Sequence, residues 1–257
     1  MIFLNDIKQE ARSKAEEIRE QYDLGNEPIS DIFNFIESLN ILLAQKPLDR
    51  DEGISAFYIG HNETCLFFIN SSQSLGRQYF SAAHEIYHYF YDDNTSRVCN
   101  PFKFKKQTSV TEKSADYFAV HFLMPEEGVR KYLERLSEEN VNIKNVIKAQ
   151  KHFKVSYKAM LVRLKVLDYI SSRQYENMMD THLRSTFAKL GYDPTLIKPT
   201  NETKIPQKYM ELLHENYEEN QITPTAYKKY LHDVGLTPNA LEKEEVIESV
   251  EESSFDY

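Results

Sequence analysis

Glycine and proline are scarce in this chain, at 7 and 9 of 257 residues, below the ordinary usage of about 7 % and 5 %. The shortage excludes collagen-like and low-complexity character. It also leaves few positions built for left-handed turns, which tilts the expectation toward helix. Cysteine is scarcer still. Two cysteines, Cys65 in a strand-like run and Cys99 in a polar stretch, cannot build a disulfide framework and point to a reduced, cytoplasmic setting. No apolar run approaches the ~20 residues that span a membrane. Asp6 and Lys8 stand where a secretion signal needs its apolar core. Positive charge is in deficit as well: 31 Lys and Arg against 40 Asp and Glu give a net −9, which argues against a surface that wraps nucleic acid throughout.

What the chain does have is an ordinary globular balance, 41 % hydrophobic and 28 % charged, at a length suited to one or two domains. Charge is unevenly spread. From Lys144 to Arg173 eight basic residues face Asp168 alone, whereas from Glu242 to Tyr257 seven acids face Lys243 alone. Apolar spacing predicts helices over Asn5–Tyr22 and Ile29–Leu39, the second started by Pro28 and Ser30. Two β-rich runs, Ile54–Ile59 and Cys65–Ile69, flank the polar stretch His61–Thr64 and read as an antiparallel hairpin. Helices follow over about Gly76–Phe90 and Thr111–Leu123, the latter stopped by Pro125, with a polar loop from Asp92 to Gln107 between them. Further helical stretches cover Val141–Ile170, Ser172–Leu190, Pro206–Tyr217 and Pro224–Val234, and the acidic end has too little apolar content to pack.

The sharpest chemical signal is His84-Glu85-Ile86-Tyr87-His88. Residues four apart share a helix face, so both imidazoles can reach one metal ion, and the intervening glutamate stands beside the metal's open position. There it can take a proton from the attacking water and pass it to the leaving amine. The bland alternative is two surface histidines on an amphipathic helix. Phe80, Ala83, Tyr87 and Phe90 weigh against that, because a polar group on a mostly buried helix needs a partner. The preceding hairpin supplies an edge against which an extended peptide can pair.

A catalytic zinc takes a third protein ligand and keeps one position open. The extended pattern HExxHxxGxxH is excluded, since Tyr91 and Asn94 stand where it needs glycine and histidine. The better candidate is Glu112 on the next helix, with Asp116 one turn later placed to accept the spare N–H of a ligand histidine. A solvated helix start capped by Thr111 is the competing reading of the same residues, and Asp92 and Asp93 are weaker ligand candidates. His121 lies nine residues from Glu112, about half a turn round the helix, and should point away. Tyr91, seven residues after His84, could polarise a substrate carbonyl or simply pack. Two imidazoles and one carboxylate favour one Zn2+ per chain.

The run FSAAHEIYHYF (80–90), followed by EKSADYFAVHFLMP (112–125), closely resembles the ImmA/IrrE family of metallo-endopeptidases. The likeness extends upstream through FFIN (67–70) and downstream through VSYKAMLVRLKVLDYIS (155–171), covering roughly Ile29 to Ser171. The resemblance implies His84, His88 and Glu112 as metal ligands, Glu85 as general base and Asp116 as a supporting acid. It further implies a protein substrate, typically a helix-turn-helix repressor controlling a mobile element or stress operon. Tyr87 departs from the family's common glycine, with consequences for packing behind the site or for the width of the cleft. Ser114 departs from a frequent second acid.

Val141–Ile170 also reads as a helix-turn-helix, with Ser156 capping a second helix that displays Lys158, Arg163 and Lys165. Such a face could bind DNA phosphates. The favoured reading is that Val146, Ile147, Phe153, Met160, Leu161, Leu164 and Leu167 pack this hairpin onto the metal domain. The expected architecture is α+β: mostly helical, with a small antiparallel hairpin beside a zincin-like HExxH helix. Its expected parts are a metallopeptidase domain (1–135), a helix-turn-helix-like segment (136–172), a helical C-terminal region (173–240) and an acidic tail (241–257). Two functions follow: a cytoplasmic zinc endopeptidase, or a DNA- or protein-binding regulator whose metal is structural or vestigial. Neither involves a membrane.

Overall fold

The computed structural model describes residues 2–48, 53–61, 64–92, 110–136 and 141–236. The expected acidic tail, Cys99, Asp93 and nearly all of the polar loop from Asp92 to Gln107 lie outside these residues. Residues 1–204 and 205–257 form two compact units.

In the first unit, α1 (Ile2–Gln21) sets Ile7, Ala11, Ala15 and Ile18 at steps of three and four, and all four are buried. They face α4 (Val110–Leu123), whose Ala115, Phe118, Ala119 and Phe122 are fully buried. Alanines on both helices let the backbones come close, and removing this apolar surface from water supplies the main stabilisation. The helix α2 (Ile32–Ser38) starts later than Pro28 and Ser30 suggest. Asp31 is its cap, its carboxylate accepting from the backbone N–H of Phe33 and Asn34.

The expected hairpin is present as β2 (Ala56–His61) and β3 (Thr64–Asn70), paired antiparallel. The strands extend to His61 and Thr64, so the connection is shorter than the four-residue turn expected. A third strand, β1 (Leu42–Lys46), runs parallel to β3 and makes the sheet mixed, in the order β1-β3-β2. Its outer edge is covered at Gln45, which exchanges backbone hydrogen bonds with Lys204 at 2.9 and 2.8 Å. The β2 edge is therefore the open one among the described strands.

The helix α3 (Leu75–Tyr91) lies on this sheet and against α4. Near its start, Gly76 meets the backbone of Val155 and Ser156 so closely that a Cβ would fall 2.7–2.8 Å from those atoms. Beyond Pro125 the chain continues as α5 (Glu126–Arg135), then α6 (Ile143–Phe153) and α7 (Tyr157–Val166). Ser156 caps α7 as expected, accepting from Ala159 N–H at 3.2 Å. Val146, Ile147, Phe153, Met160, Leu161 and Leu164 belong to the same core as α1, α3 and α4. The apolar faces of α6 and α7 are spent on that shared core. The stretch 172–190 forms two helices, α8 (Ser172–Met179) and α9 (Leu183–Leu190), rather than one.

Arg163 corrects the expectation of a displayed basic face. It is 2 % exposed, and its Nε donates to the Met124 carbonyl at 3.0 Å. From another side the buried Arg19 donates to the Phe122 carbonyl. Two guanidinium groups thus serve the carbonyls that the end of α4 leaves without helical partners, where the helix dipole also favours positive charge.

In the second unit, α10 (Gln207–Glu218) and α11 (Pro224–Asp233) form a helical hairpin. Leu213 and Leu231 are buried, and Tyr217 stacks on Tyr227 at 4.4 Å.

Candidate metal centre

His84 and His88 leave α3 one turn apart, and Glu112 enters from the first turn of α4. Their donor atoms converge. His84 Nε2 lies 3.1 Å from His88 Nε2 and 3.3 Å from Glu112 Oε2, and His88 Nε2 lies 3.6 Å from Glu112 Oε1. A tetrahedral ion with ligand bonds of about 2.0–2.1 Å sets its donors about 3.3 Å apart. The observed spacings bracket that value, so the donor set fits zinc. Among the described residues no other group of three His, Cys, Asp or Glu converges in this way.

The outward nitrogens are committed as well. His84 Nδ1 is 3.0 Å from Asp116 Oδ1, and His88 Nδ1 is 2.8 Å from Asp92 Oδ2. An N–H donated from each Nδ1 leaves the Nε2 lone pair aimed at the common centre, which selects the ligating tautomer. Asp116 stands where α4 was expected to put it. Asp92, by its sequence a weaker ligand candidate on a loop, is the C-cap of α3, four residues after His88, and the same four-residue step that pairs the histidines could have found it. We expect Asp92→Asn to weaken zinc affinity by about 10–100-fold, measured by competition with a chromophoric chelator. Unchanged affinity would mean that Asp92 does not support His88.

Burial disfavours a charged His84, but hydrogen bonds to Asp116 and Glu112 outweigh it and carry the pKa up to about 10. The Glu112 carboxyl is held below its usual range, chiefly by its hydrogen bond to His84. Glu85 is 7 % exposed, and its burial pushes the carboxyl up. It lines a cleft of about 200 Å³ together with His84, Glu112, Asp116, Arg77, Phe80 and Ser81. Gly53, Ile54, Ser55 and Ala56, at the entry to β2, form the opposite wall. Glu85 thus reaches the same space as two of the three donors. Behind the centre, the buried Tyr58 ring lies 6.3 Å from His88 and nearly parallel to it.

Residues 36–165 match the model of the Peptidase M78 family, described as the IrrE N-terminal-like domain. The chain belongs to this family. A metallopeptidase-type function comes with it, and the fold is α+β as expected. The matched stretch of this M78 chain runs from the end of α2 to α7, so the helix-turn-helix-like hairpin falls inside the family domain. A search of curated proteins returned no match.

Other expected site residues are placed elsewhere. Tyr91 is not brought to the centre: its hydroxyl donates toward the Lys14 carbonyl at 3.1 Å and Glu17 Oε2 at 3.0 Å on α1. The reason is the acceptors that α1 offers on its own side, which hold the phenol there. Tyr87, the departure from the family's glycine, packs behind the site on Phe118 and Tyr91 and does not narrow the cleft. His121 points away, toward Arg12, Glu126 and Arg163. Burial, with Arg163 and Arg12 nearby, holds its pKa down at about 3. Thr111 lies within α4 rather than capping it.

Proposed function

We propose that this M78 member is a cytoplasmic zinc-dependent endopeptidase whose substrate is a regulatory protein, such as a helix-turn-helix repressor of a mobile element or stress operon. The observation that carries the reading is Glu85, a buried carboxylate that shares one cleft with a convergent His-His-Glu donor set. A purely structural metal site has no use for that carboxylate. A low cysteine content and the lack, among the described helices, of one able to cross a membrane are in keeping with the setting.

His84, His88 and Glu112 would hold the ion. Zinc, when bound, supplies a Lewis acid that polarises a carbonyl and acidifies water. The remaining work falls to the protein. Glu85 accepts a proton as the water oxygen bonds to the peptide carbon, then returns it to the amide nitrogen as the C–N bond breaks. Asp116 and Asp92 keep both imidazoles oriented through the cycle. The open β2 edge bordering the cleft can pair with an extended substrate backbone.

Glu85→Gln preserves shape and removes the base. The expected result is a zinc-loaded, folded protein whose turnover of a peptide library, followed by mass spectrometry, falls by about 10²–10⁴-fold. Equal turnover by both proteins would overturn the assignment. The rival reading, DNA contact through Lys158, Arg163 and Lys165, keeps one exposed cation of the three. Arg163 is buried, and Lys165 is half-buried over the Tyr175 ring at 4.7 Å.

A further inference from the structure

Arg77 precedes His84 by seven residues on α3, so the two side chains leave the helix about 20° apart. Both line the cleft. Neutral groups hold the guanidinium. Its Nε donates to Gln73 Oε1 at 2.9 Å, its Nη2 reaches Ser55 Oγ at 3.5 Å, and Gln73 Nε2 donates to the same Ser55 Oγ at 2.8 Å. Arg12, Arg130 and Arg135, by contrast, each pair with a glutamate. No described carboxylate forms an ion pair with Arg77. Among the described residues its exposed charge is oriented by neutral partners alone, and it lines the cleft.

The same cleft also carries Glu112 and Asp116. A peptide lying there meets both a cation and carboxylates. Seven helical residues span about 10 Å, and an extended peptide advances about 3.3 Å per residue. A side chain that reaches Arg77 therefore belongs to a residue within about three positions of the cleaved bond. A planar guanidinium presents paired donors that match a carboxylate.

We propose that Arg77 determines substrate specificity by binding an aspartate or glutamate side chain within about three residues of the bond cleaved. The inference rests on the peptidase reading and adds the substrate class: a protein segment with an acidic residue on one side of its cleavage site.

The test uses two readouts on the full chain loaded with zinc. In the first, fluorescein-labelled dodecapeptides carrying a single Asp or Asn at scanned positions bind the Glu85→Gln protein and are measured by anisotropy. In the second, the wild type cleaves the same peptides. We expect Asp to improve binding and kcat/KM about tenfold over Asn at one position. Arg77→Lys should retain part of that preference, and Arg77→Glu should reverse it toward Lys-bearing peptides. Equal treatment of Asp and Asn, or a preference that survives Arg77→Glu, overturns the proposal. Cleavage without such preference would leave the peptidase reading intact and sink this one. Arg77-dependent binding without cleavage would do the opposite.

Discussion

Glu112→Ala is expected to empty the metal centre. Glu112 is the one donor that α4 contributes, and it bridges both Nε2 atoms at 3.3 and 3.6 Å. Without it two imidazoles remain on one helix turn, too few to close a tetrahedral site. The loss in affinity should exceed the roughly 100-fold upper end of outer-shell effects. Elemental analysis after dialysis should find about one zinc per chain in the wild type and almost none in the variant. A linked effect follows in stability. Zinc at 1,000 times its Kd stabilises the native state by about 4 kcal/mol, which raises Tm by roughly 8–16 °C for a unit of this size. The variant should show little of that rise. One tightly held zinc in Glu112→Ala would place the third ligand elsewhere and undo the centre as described.

Gly128→Ala should cost about 3 kcal/mol or more, against the usual gain of roughly 0.5–1 kcal/mol for Gly→Ala within a helix. Gly128 lies in the first turn of α5, and a Cβ there would overlap the Asn26 carbonyl oxygen. That atom belongs to the backbone joining α1 to α2, so the clash cannot be relieved by a rotamer change. The expected loss is roughly 6–12 °C in Tm by calorimetry. Gly60→Ala is the control. Among the described residues nothing lies within 4 Å of its added Cβ, and its Tm should stay within about 2 °C of the wild type. A neutral Gly128→Ala would mean that α5 does not abut the 25–27 turn.

Both effects bear on how far function is legible along the chain. His84, Glu85 and His88 could be read directly, because a helix period of 3.6 converts a spacing of four into a shared face with no knowledge of the fold. The α3 and α4 helices, the β2–β3 hairpin, the Ser156 cap and the apolar set of α6–α7 were legible for the same reason: each is a local period or a local hydrogen bond. Asp116 could be anticipated as one turn beyond Glu112.

Other features were decided by partners distant in sequence. The strand β1 is short, and its place beside β3 depends on a parallel pairing that no local turn announces. The Lys204 backbone that covers its edge comes from about 160 residues downstream. Tyr91 and His84 share a face only approximately, and the acceptors on α1 settled which way the phenol turns. Arg163 reads as a surface cation in any linear window. It is buried because the C-terminal carbonyls of α4 require donors and α7 passes beneath them. The sequence by itself determined the helices, the two histidines and the carboxylate between them, since these rest on periodicity. Only the tertiary structure brought Glu112 to within 3.6 Å of both histidines and set Arg77 in their cleft. Convergence between separate elements arises from packing, which a linear spacing does not encode.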